Sequence, residues 1–234
     1  MPASALPSPC DDCDIRDLAI CGTLRLDEVQ RLNSIMTTIN FAAGDPIVDE
    51  GEPADFVYTL TAGAVRLYRL LADGRRSVTG FLFPGDFLGV SMRGSYGASA
   101  ESITPVTMCR FQRTELERLM EEIPTLERRM FARATEELYL MQEQIVLLGR
   151  KSAAERVASF LRGLSTRQEK RHLPANPVIV PMTRTDIADY LGLTTETVSR
   201  TITQFKSKGL ISVENASRIR IVDTDQLDDL AEAV

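Results

Sequence analysis

The sequence predicts an α+β fold in three successive parts: an antiparallel β-roll, one long helix and a winged helix-turn-helix. Nine of the fourteen glycines fall between Gly44 and Gly97, where they separate short runs rich in Val, Phe, Tyr, Leu and Thr. Between Thr114 and Gly149 there is no glycine, and apolar residues recur every three or four positions. The last third holds two short helical patterns joined by a glycine turn. Such segregation of strands from helices is typical of the α+β class.

Composition excludes several classes of protein. The 234 residues are enough for two modest domains, and 44% hydrophobic with 26% charged residues is the balance of a folded, soluble chain. No run approaches the roughly 18 to 20 uncharged apolar residues of a membrane span. The N-terminus lacks the basic start and apolar stretch of a signal peptide. We therefore expect a cytoplasmic protein with no membrane partner.

The β-roll is expected to follow a short amphipathic helix over residues 26–39, where apolar side chains have helical spacing. Asp73-Gly74 is a hairpin signal between two of the predicted strands. Examples of the predicted strands are residues 56–61, 64–71, 78–83 and 106–111.

The long helix has an apolar seam that continues beyond six turns. Its members are Leu126, Met130, Ala134, Leu138, Met141, Ile145 and Leu148. A small two-layer domain cannot cover so long a stripe, which favours pairing with a second copy, although a helix buried within one domain is the alternative. The candidate dimer interface comprises Met130, Leu138, Met141, Ile145 and Leu148.

The C-terminal third has explicit helix signals. Before the helix-turn-helix, the sequence predicts a helix over residues 153–164. A polar connector over residues 165–181 follows, with room for one short strand. Thr183 and Asp186 form a capping box for the next helix, and Thr194 caps a second that runs to about Lys208 and ends at Gly209. Strand-like runs at 210–214 and 218–222 resemble a β-wing, and a helix over 225–233 closes the chain.

The second of these helices can read the DNA major groove. Val198, Ile202 and Phe205 must face the core. The outward residues are Glu196, Ser199, Arg200, Thr203 and Lys206. Arg200 matches guanine O6 and N7, Glu196 can accept from cytosine N4, and Ser199 can serve a base or a phosphate. Thr194, Thr195 and Arg184 complete the candidate DNA-binding set.

Structural alternatives exist for the same residues. The helix dipole alone favours Glu196 near the N-terminus, and Arg200 can pair with it at i+4. A helix-turn-helix can also be a purely structural or protein-binding element.

Local charge bears on this choice. The formal net charge of −6 argues against nucleic acid as a partner. Residues 150–222, however, carry thirteen Lys and Arg against six Asp and Glu, a net +7. The acidic total therefore conceals a basic module, and DNA binding is consistent with the charge.

The chain resembles the CRP/FNR superfamily of bacterial transcription regulators. Residues 182–200, MTRTDIADYLGLTTETVSR, are similar to its helix-turn-helix, and Glu-x-x-Ser-Arg within them resembles the FNR branch. Residues 151–161 (KSAAERVASFL) resemble the segment after the family's dimer helix, and 84–89 (PGDFLG) a turn of its cyclic-nucleotide-binding-like β-roll. The resemblance implies a homodimer that binds an FNR-box-like palindrome in double-stranded DNA and contacts RNA polymerase.

Combined with the element pattern, the resemblance predicts four segments. They are an N-terminal cysteine segment (1–24), a β-roll sensor domain (25–120), a dimerisation helix (121–150) and a winged helix-turn-helix DNA-binding domain (151–234). The turn at residues 73–76 is expected to be a solvated hairpin, with a contact to RNA polymerase as the alternative.

Cyclic nucleotide is not expected as a ligand, although the family includes cyclic-nucleotide receptors. Gly89 is followed by Val90-Ser91 where such receptors have Glu, and Gly97-Ala98-Ser99-Ala100 stands where they have Arg-Ser or Arg-Thr. No arginine lies between Arg93 and Arg110, so nothing is placed to neutralise a buried phosphate.

The four cysteines are Cys10, Cys13, Cys21 and Cys109. Four thiolates suit a [4Fe–4S] cluster or a structural zinc, whereas Cys109 alone is more often a buried small hydrophobe. The FNR resemblance implies that these four residues ligate an oxygen-labile [4Fe–4S] cluster. Seven residues separate Cys13 from Cys21, a longer gap than in the enteric type.

The implied mechanism is a two-state one. With the cluster intact, the long helices pair and hold two recognition helices about 34 Å apart. Oxygen converts or destroys the cluster, so the dimer weakens. The affinity for DNA then falls, because dimerisation and DNA binding share one conformational equilibrium. The main rival is a CRP/FNR-type regulator whose cysteines bind zinc or form a redox disulfide.

Other classes have less support. His172 is the only histidine, which disfavours haem and a histidine metal site built on the roll. No nucleophile with an adjacent base emerges from the sequence, so we do not expect an enzyme.

Overall fold

The structure is a computed structural model that describes Cys10, residues 13–89 and residues 94–232. The chain divides into two compact units. The first comprises Met1–Arg69 with Gly80–Glu137, and the second comprises Leu70–Thr79 with Leu138–Val234. None of the helices in the described part of the chain has both the length and the apolar surface that a membrane span requires.

The β-roll contains eight described strands: β1 Met36–Phe41, β2 Pro46–Val48, β3 Phe56–Ala62, β4 Val65–Leu70, β5 Arg76–Leu82, β6 Phe87–Leu88, β7 Ser99–Ser102 and β8 Val106–Gln112. They form two four-stranded sheets with the orders β1-β8-β3-β6 and β2-β7-β4-β5. Strand β8 is the partner of both β1 and β3, in antiparallel register.

The prediction of one helix over residues 26–39 is wrong in its second half. Helix α1 is Leu26–Ser34, and the chain then enters β1 at Met36. The apolar residues Met36 and Ile39 fit a helical period as well as a strand, and pairing with β8 decides between them. The short strands β2, β6 and β7 were not predicted either, because two to four residues show too little alternation.

Two clusters of buried residues form the core of the first unit. One lies inside the roll around Leu60, Val65 and Met108, all of them fully buried. The other lies beneath the helices and includes Ile20 and Leu126. The helices here are α1, α2 Arg113–Glu122 and the start of α3 Pro124–Arg150.

Helix α3 differs along its length. Leu126 is fully buried, and Met130 is partly buried against the second core cluster, so the first turns of the predicted seam pack on the roll. Further along, large apolar side chains are exposed: Phe131, Leu138, Tyr139, Leu140, Met141, Ile145, Val146 and Leu148.

The second unit contains the remaining helices and three further strands. These elements are α4 Ala153–Glu169, β9 Val178–Ile179, α5 Arg184–Leu191, α6 Thr195–Ser207, β10 Ile211–Asn215, β11 Arg218–Ile221 and α7 Thr224–Glu232. The three strands form a sheet of order β10-β11-β9.

Helix α4 continues five residues beyond the predicted end at residue 164, so the connector is shorter than expected. The polar residues that suggested a loop are buried within the helix. Ser165 donates to Ala175 O at 3.0 Å, and the Gln168 side chain donates to Pro177 O at 3.2 Å. Polar side chains that satisfy a neighbouring loop look like loop residues in the sequence.

Candidate functional site

Cys109 lies in the middle of β8, between two neighbouring strands. It is opposite Thr38 on β1 and opposite Thr59 on β3. The run Val106–Gln112 is a central strand, and its Met108 and Phe111 fill the cores on either side. The sheet therefore fixes the backbone that carries the Cys109 thiol.

The N-terminal cysteines lie on a compact series of turns. Backbone bonds from Arg16 N to Cys13 O (3.1 Å) and from Ala19 N to Ile15 O (3.0 Å) close them. The 3₁₀ turn Ile20–Thr23 carries Cys21, and fully buried Ile20 anchors that turn in the core. This segment is therefore packed onto the roll.

Two of these thiols have identified hydrogen-bond partners. The Cys10 thiol donates to Asn33 Oδ1 at 3.5 Å, which connects the segment to α1. The Cys21 thiol donates to the backbone oxygen of Arg16 at 3.8 Å.

All four cysteines line one cavity of about 270 Å³. The other residues around it come from the N-terminal segment, α1, β1, β3 and β8. They are Asp14, Ile15, Ala19, Ile20, Leu32, Asn33, Met36, Thr38, Thr59, Thr61, Thr107 and Phe111. The structure thus brings together three cysteines that are close in sequence and one that is 88 positions beyond the last of them.

Burial and mutual proximity hold two of the thiols in the neutral form. Burial, then the charges of Cys13 and Cys10, raises the pKa of Cys21 to about 11. Burial, then the charges of Cys10, Cys13 and Cys21, raises the pKa of Cys109 to about 12. A buried neutral thiol is a weak nucleophile, but metal ligation removes its proton.

The four cysteines supply the sulfur donors that metal sites use. Among the described residues, no group of three or more His, Cys, Asp and Glu side chains lies close enough together to hold a metal ion. A [4Fe–4S] cluster and a tetrahedral zinc site can both take four cysteine thiolates. The four thiols around the cavity therefore fit either group in donor type and number.

The second candidate site is the exposed face of α6. Val198, Ile202 and Phe205 are buried, as the spacing predicts. The opposite face is exposed and carries Glu196, Ser199, Arg200, Thr203 and Lys206. These side chains therefore face solvent together.

Arg200 and Glu196 do not pair with each other. Within the part of the chain that the structure describes, neither side chain has an ion pair or a hydrogen bond. The structure therefore does not support the alternative in which Glu196 and Arg200 neutralise each other. Both side chains are available to a ligand.

The residues around the start of α6 have more than one role. Thr194 caps the helix, accepting from Thr197 N at 3.1 Å, whereas Thr195 is exposed. Arg184, at the start of α5, is partly buried, and burial lowers the pKa of its guanidinium. Gly192, with φ of 61°, makes the turn between α5 and α6 and positions the second helix.

One contact was not anticipated from the sequence. Arg76 forms ion pairs with Asp186 at 2.7 Å and with Asp189 at 2.9 Å, both on α5. The solvated hairpin expected at residues 73–76 is therefore wrong for Arg76, although Arg75 is exposed and pairs with Asp73. No local pattern marks Arg76, because its partners lie 110 and 113 positions away.

The candidate dimer face is mostly uncovered. Leu138, Met141, Ile145 and Leu148 are exposed, whereas Met130 is partly buried. Phe131, 74% exposed on the same helix, was missed because it lies outside the predicted seam.

Comparisons with known proteins agree with this architecture. Residues 38–123 match the family model of the cyclic nucleotide-binding domain, and residues 155–230 match that of the Crp-like helix-turn-helix domain. The solved structure of FixK2 from Bradyrhizobium japonicum superposes with a TM-score of 0.80 and 36% identity, over 86% of this chain and 99% of that one.

Relatives of known name match over nearly the whole chain. The transcriptional activatory protein AadR of Rhodopseudomonas palustris is 43% identical over 94% of this chain and 92% of its own length. The nitrogen fixation regulation protein FixK of Bradyrhizobium diazoefficiens is 40% identical over 96% and 94%. The transcriptional activator protein FnrL of Cereibacter sphaeroides is 34% identical over 93% and 90%.

These relatives are regulators of transcription and not enzymes. Two domain matches in the expected order and alignment over almost the full length identify the chain. It belongs to the CRP/FNR family of DNA-binding transcription regulators.

Proposed function

We propose that this protein is an oxygen-responsive transcriptional activator in which Cys10, Cys13, Cys21 and Cys109 bind a [4Fe–4S] cluster. The cluster-bound chain forms a homodimer that binds an FNR-box-like palindrome and controls genes for low-oxygen metabolism. The observation that carries the proposal is that all four cysteines of the chain line one cavity. A [4Fe–4S] cluster would supply the oxygen-reactive group and a tie between thiolates from two distant parts of the chain.

The chain's own residues support a coupling between this cavity and the rest of the unit. Buried Ile20 and the Cys10–Asn33 hydrogen bond hold the cysteine turns against the core. Leu126 and Met130 of α3 pack on the same core cluster. A change in the order of the turns therefore reaches the packing of the dimerisation helix.

Two alternatives use the same cysteines. A thiol redox switch needs a reactive thiolate, and burial raises the pKa of Cys21 to about 11 and that of Cys109 to about 12, which disfavours these two as attacking thiols. A structural zinc would use the same four thiols, so the metal content of the purified protein distinguishes it from the cluster.

The DNA-binding part of the proposal rests on the second unit. The exposed face of α6 presents Arg200 and Glu196 unpaired, on a segment of net charge +7. Pairing of the exposed seam residues Leu138, Met141, Ile145 and Leu148 between two copies would place two such helices about one turn of duplex, or 34 Å, apart. RNA polymerase is the further partner we propose, as the activator role of the relatives suggests.

We propose that the roll does not bind cyclic nucleotide, despite its match to the cyclic nucleotide-binding domain. Ser99 lies in the stretch where cyclic-nucleotide receptors have Arg-Ser or Arg-Thr. It is buried, and its hydroxyl accepts a hydrogen bond from Glu50 N at 2.9 Å. With no arginine between Arg93 and Arg110, a phosphate there would lack a cationic partner.

Anaerobic purification tests the cluster directly. We expect a brown protein with a broad absorption near about 400 nm and about four irons per chain, bleached by air. A colourless protein that holds one zinc per chain would replace the cluster with the zinc alternative. A metal-free protein that forms disulfides in air would support the thiol switch instead.

A further inference from the structure

Two arginines of α3 hold the turn between Cys13 and Cys21. Arg129 Nη2 donates to Asp17 O at 2.8 Å, and its Nε donates to Ala19 O at 3.4 Å. Arg133 Nη2 donates to the carbonyl oxygen of Leu18. Two side chains of one helix thus bind three consecutive carbonyls of the cysteine segment.

The two guanidinium groups are also a like-charged pair. Residues four apart lie on the same face of a helix, where like charges repel. Burial, then the charge of Arg133, lowers the pKa of Arg129. The pair is therefore held in place by the carbonyls that it binds and not by mutual attraction.

Arg133 has two identified partners. Its Nη1 pairs with Glu136 at 2.9 Å and its Nη2 binds the Leu18 carbonyl, while its buried Nε has no hydrogen-bond partner among the described residues. A partly buried cation is costly unless charge or hydrogen bonds satisfy it. The Leu18 carbonyl is therefore part of what satisfies the Arg133 guanidinium.

We propose that Arg129 and Arg133 are positioning residues that couple the cysteine site to the dimerisation helix. Their guanidinium groups clamp residues 17–19 onto α3 through three backbone carbonyls. The inference rests on the proposed function, since it takes thiolate ligation at the four cysteines to control dimerisation. When ligation no longer orders the cysteine segment, its carbonyls leave the two arginines and the clamp on α3 weakens.

The first test uses metal-free protein and concerns the clamp alone. In the double variant Arg129→Met/Arg133→Met, we expect trypsin to cleave after Arg16 at least about tenfold faster than in the parent chain, because hydrogen bonds to charged donors are lost. Arg128→Met is the matched control, as Arg128 is exposed on the same helix and contacts Thr125. Equal cleavage rates in the double variant and the parent would overturn the clamp.

The second test uses iron-loaded protein under anaerobic conditions. The double Met variant should bind iron as the parent does, with the same absorption, yet its dimer dissociation constant in sedimentation should rise at least about tenfold. Arg129→Lys/Arg133→Lys keeps the charges and loses the fork of donors, so an intermediate dissociation constant is expected.

The outcomes separate the clamp from the proposed function. Full iron with unchanged dimerisation would overturn the coupling. A Lys variant that dimerises no better than the Met variant would contradict hydrogen bonding to the carbonyls as the link, since each lysine keeps one charged donor. A double Met variant that takes up little iron would also overturn the coupling, because the arginines would then build the cysteine site and not connect it to α3. A parent chain that binds no iron overturns the proposed function, while trypsin cleavage still decides the clamp.

Discussion

The Arg76 guanidinium binds the fully buried carboxylate of Asp186 at 2.7 Å. Asp186 also closes the capping box of α5, accepting from Thr183 N at 3.0 Å while Thr183 Oγ1 accepts from Asp186 N at 3.1 Å. One buried carboxylate therefore satisfies a helix end and a distant arginine. The hairpin tip Leu70–Thr79 is accordingly part of the same compact unit as the helix-turn-helix.

We predict that Arg76→Ala destabilises the helix-turn-helix. Loss of the guanidinium leaves a buried carboxylate with less compensation, and the free energy of unfolding should fall by about 1–3 kcal/mol. Urea denaturation followed by circular dichroism measures the change. Arg75→Ala is the control, because its exposed ion pair with Asp73 should contribute less than about 1 kcal/mol. Equal effects of the two substitutions would contradict the role of Arg76.

Arg200→Ala should sharply reduce sequence preference in DNA binding. A bidentate arginine contact to guanine discriminates by about 1–3 kcal/mol in each half-site, whereas a phosphate contact weakens all sequences alike. Gel-shift titrations with the palindrome and a scrambled duplex measure the ratio of affinities. Lys206→Ala, on the same exposed face, should lower both affinities and leave their ratio unchanged. If Arg200→Ala does the same, its assignment to a base contact fails.

The helix-turn-helix could be predicted because its determinants are local. Thr183 and Asp186 are three positions apart, and Gly192 has the left-handed conformation that ends α5. Strand β1 could not be predicted in this way, because Met36 and Ile39 fit either period and the deciding partner is more than 60 positions away.

The candidate site could be predicted only in part. Cysteine is rare in this chain, so the set of four was visible in the sequence, and the structure places them around one cavity. Arg129 and Arg133 were not found, because their partners are backbone carbonyls, which every residue has. Contacts from a side chain to a distant backbone leave no pattern in the sequence.

Ile145→Glu should prevent dimerisation without unfolding the chain. Ile145 is 71% exposed, so the fold itself tolerates a charge there, whereas two glutamates across a dimer seam would repel. We expect the dimer dissociation constant of anaerobic protein to rise by about 100-fold or more, equivalent to about 2.7 kcal/mol. Leu140→Glu makes the same change on an exposed part of α3 off the seam and should dimerise normally. Sedimentation velocity that shows dimers for both variants would place the interface elsewhere.

Cys109→Ser should reproduce the effect of air on the parent protein. It removes one of four thiols while the strand and its pairing with β1 and β3 remain. Iron content and absorption near about 400 nm should fall sharply, and anaerobic activation of a reporter promoter should be lost. Thr107→Ser is the matched control on the same strand and the same cavity wall. Full anaerobic activation by Cys109→Ser would exclude the residue as a ligand.

The metal-free chain should lose stability at alkaline pH through its buried thiols. The pKa of Cys21 is raised from 9.0 to about 11, and that of Cys109 from 9.0 to about 12, mainly by burial. Above pH 9 the unfolded chain releases these protons first, so it binds fewer protons than the folded chain and the free energy of unfolding falls with pH. The decline should run from about pH 9 to about pH 12, measured by urea denaturation under anaerobic, metal-free conditions. In Cys21→Ser/Cys109→Ser the slope over that range should be shallower, since only tyrosines and other groups still titrate. An unchanged slope would mean that neither thiol is buried as the structure shows.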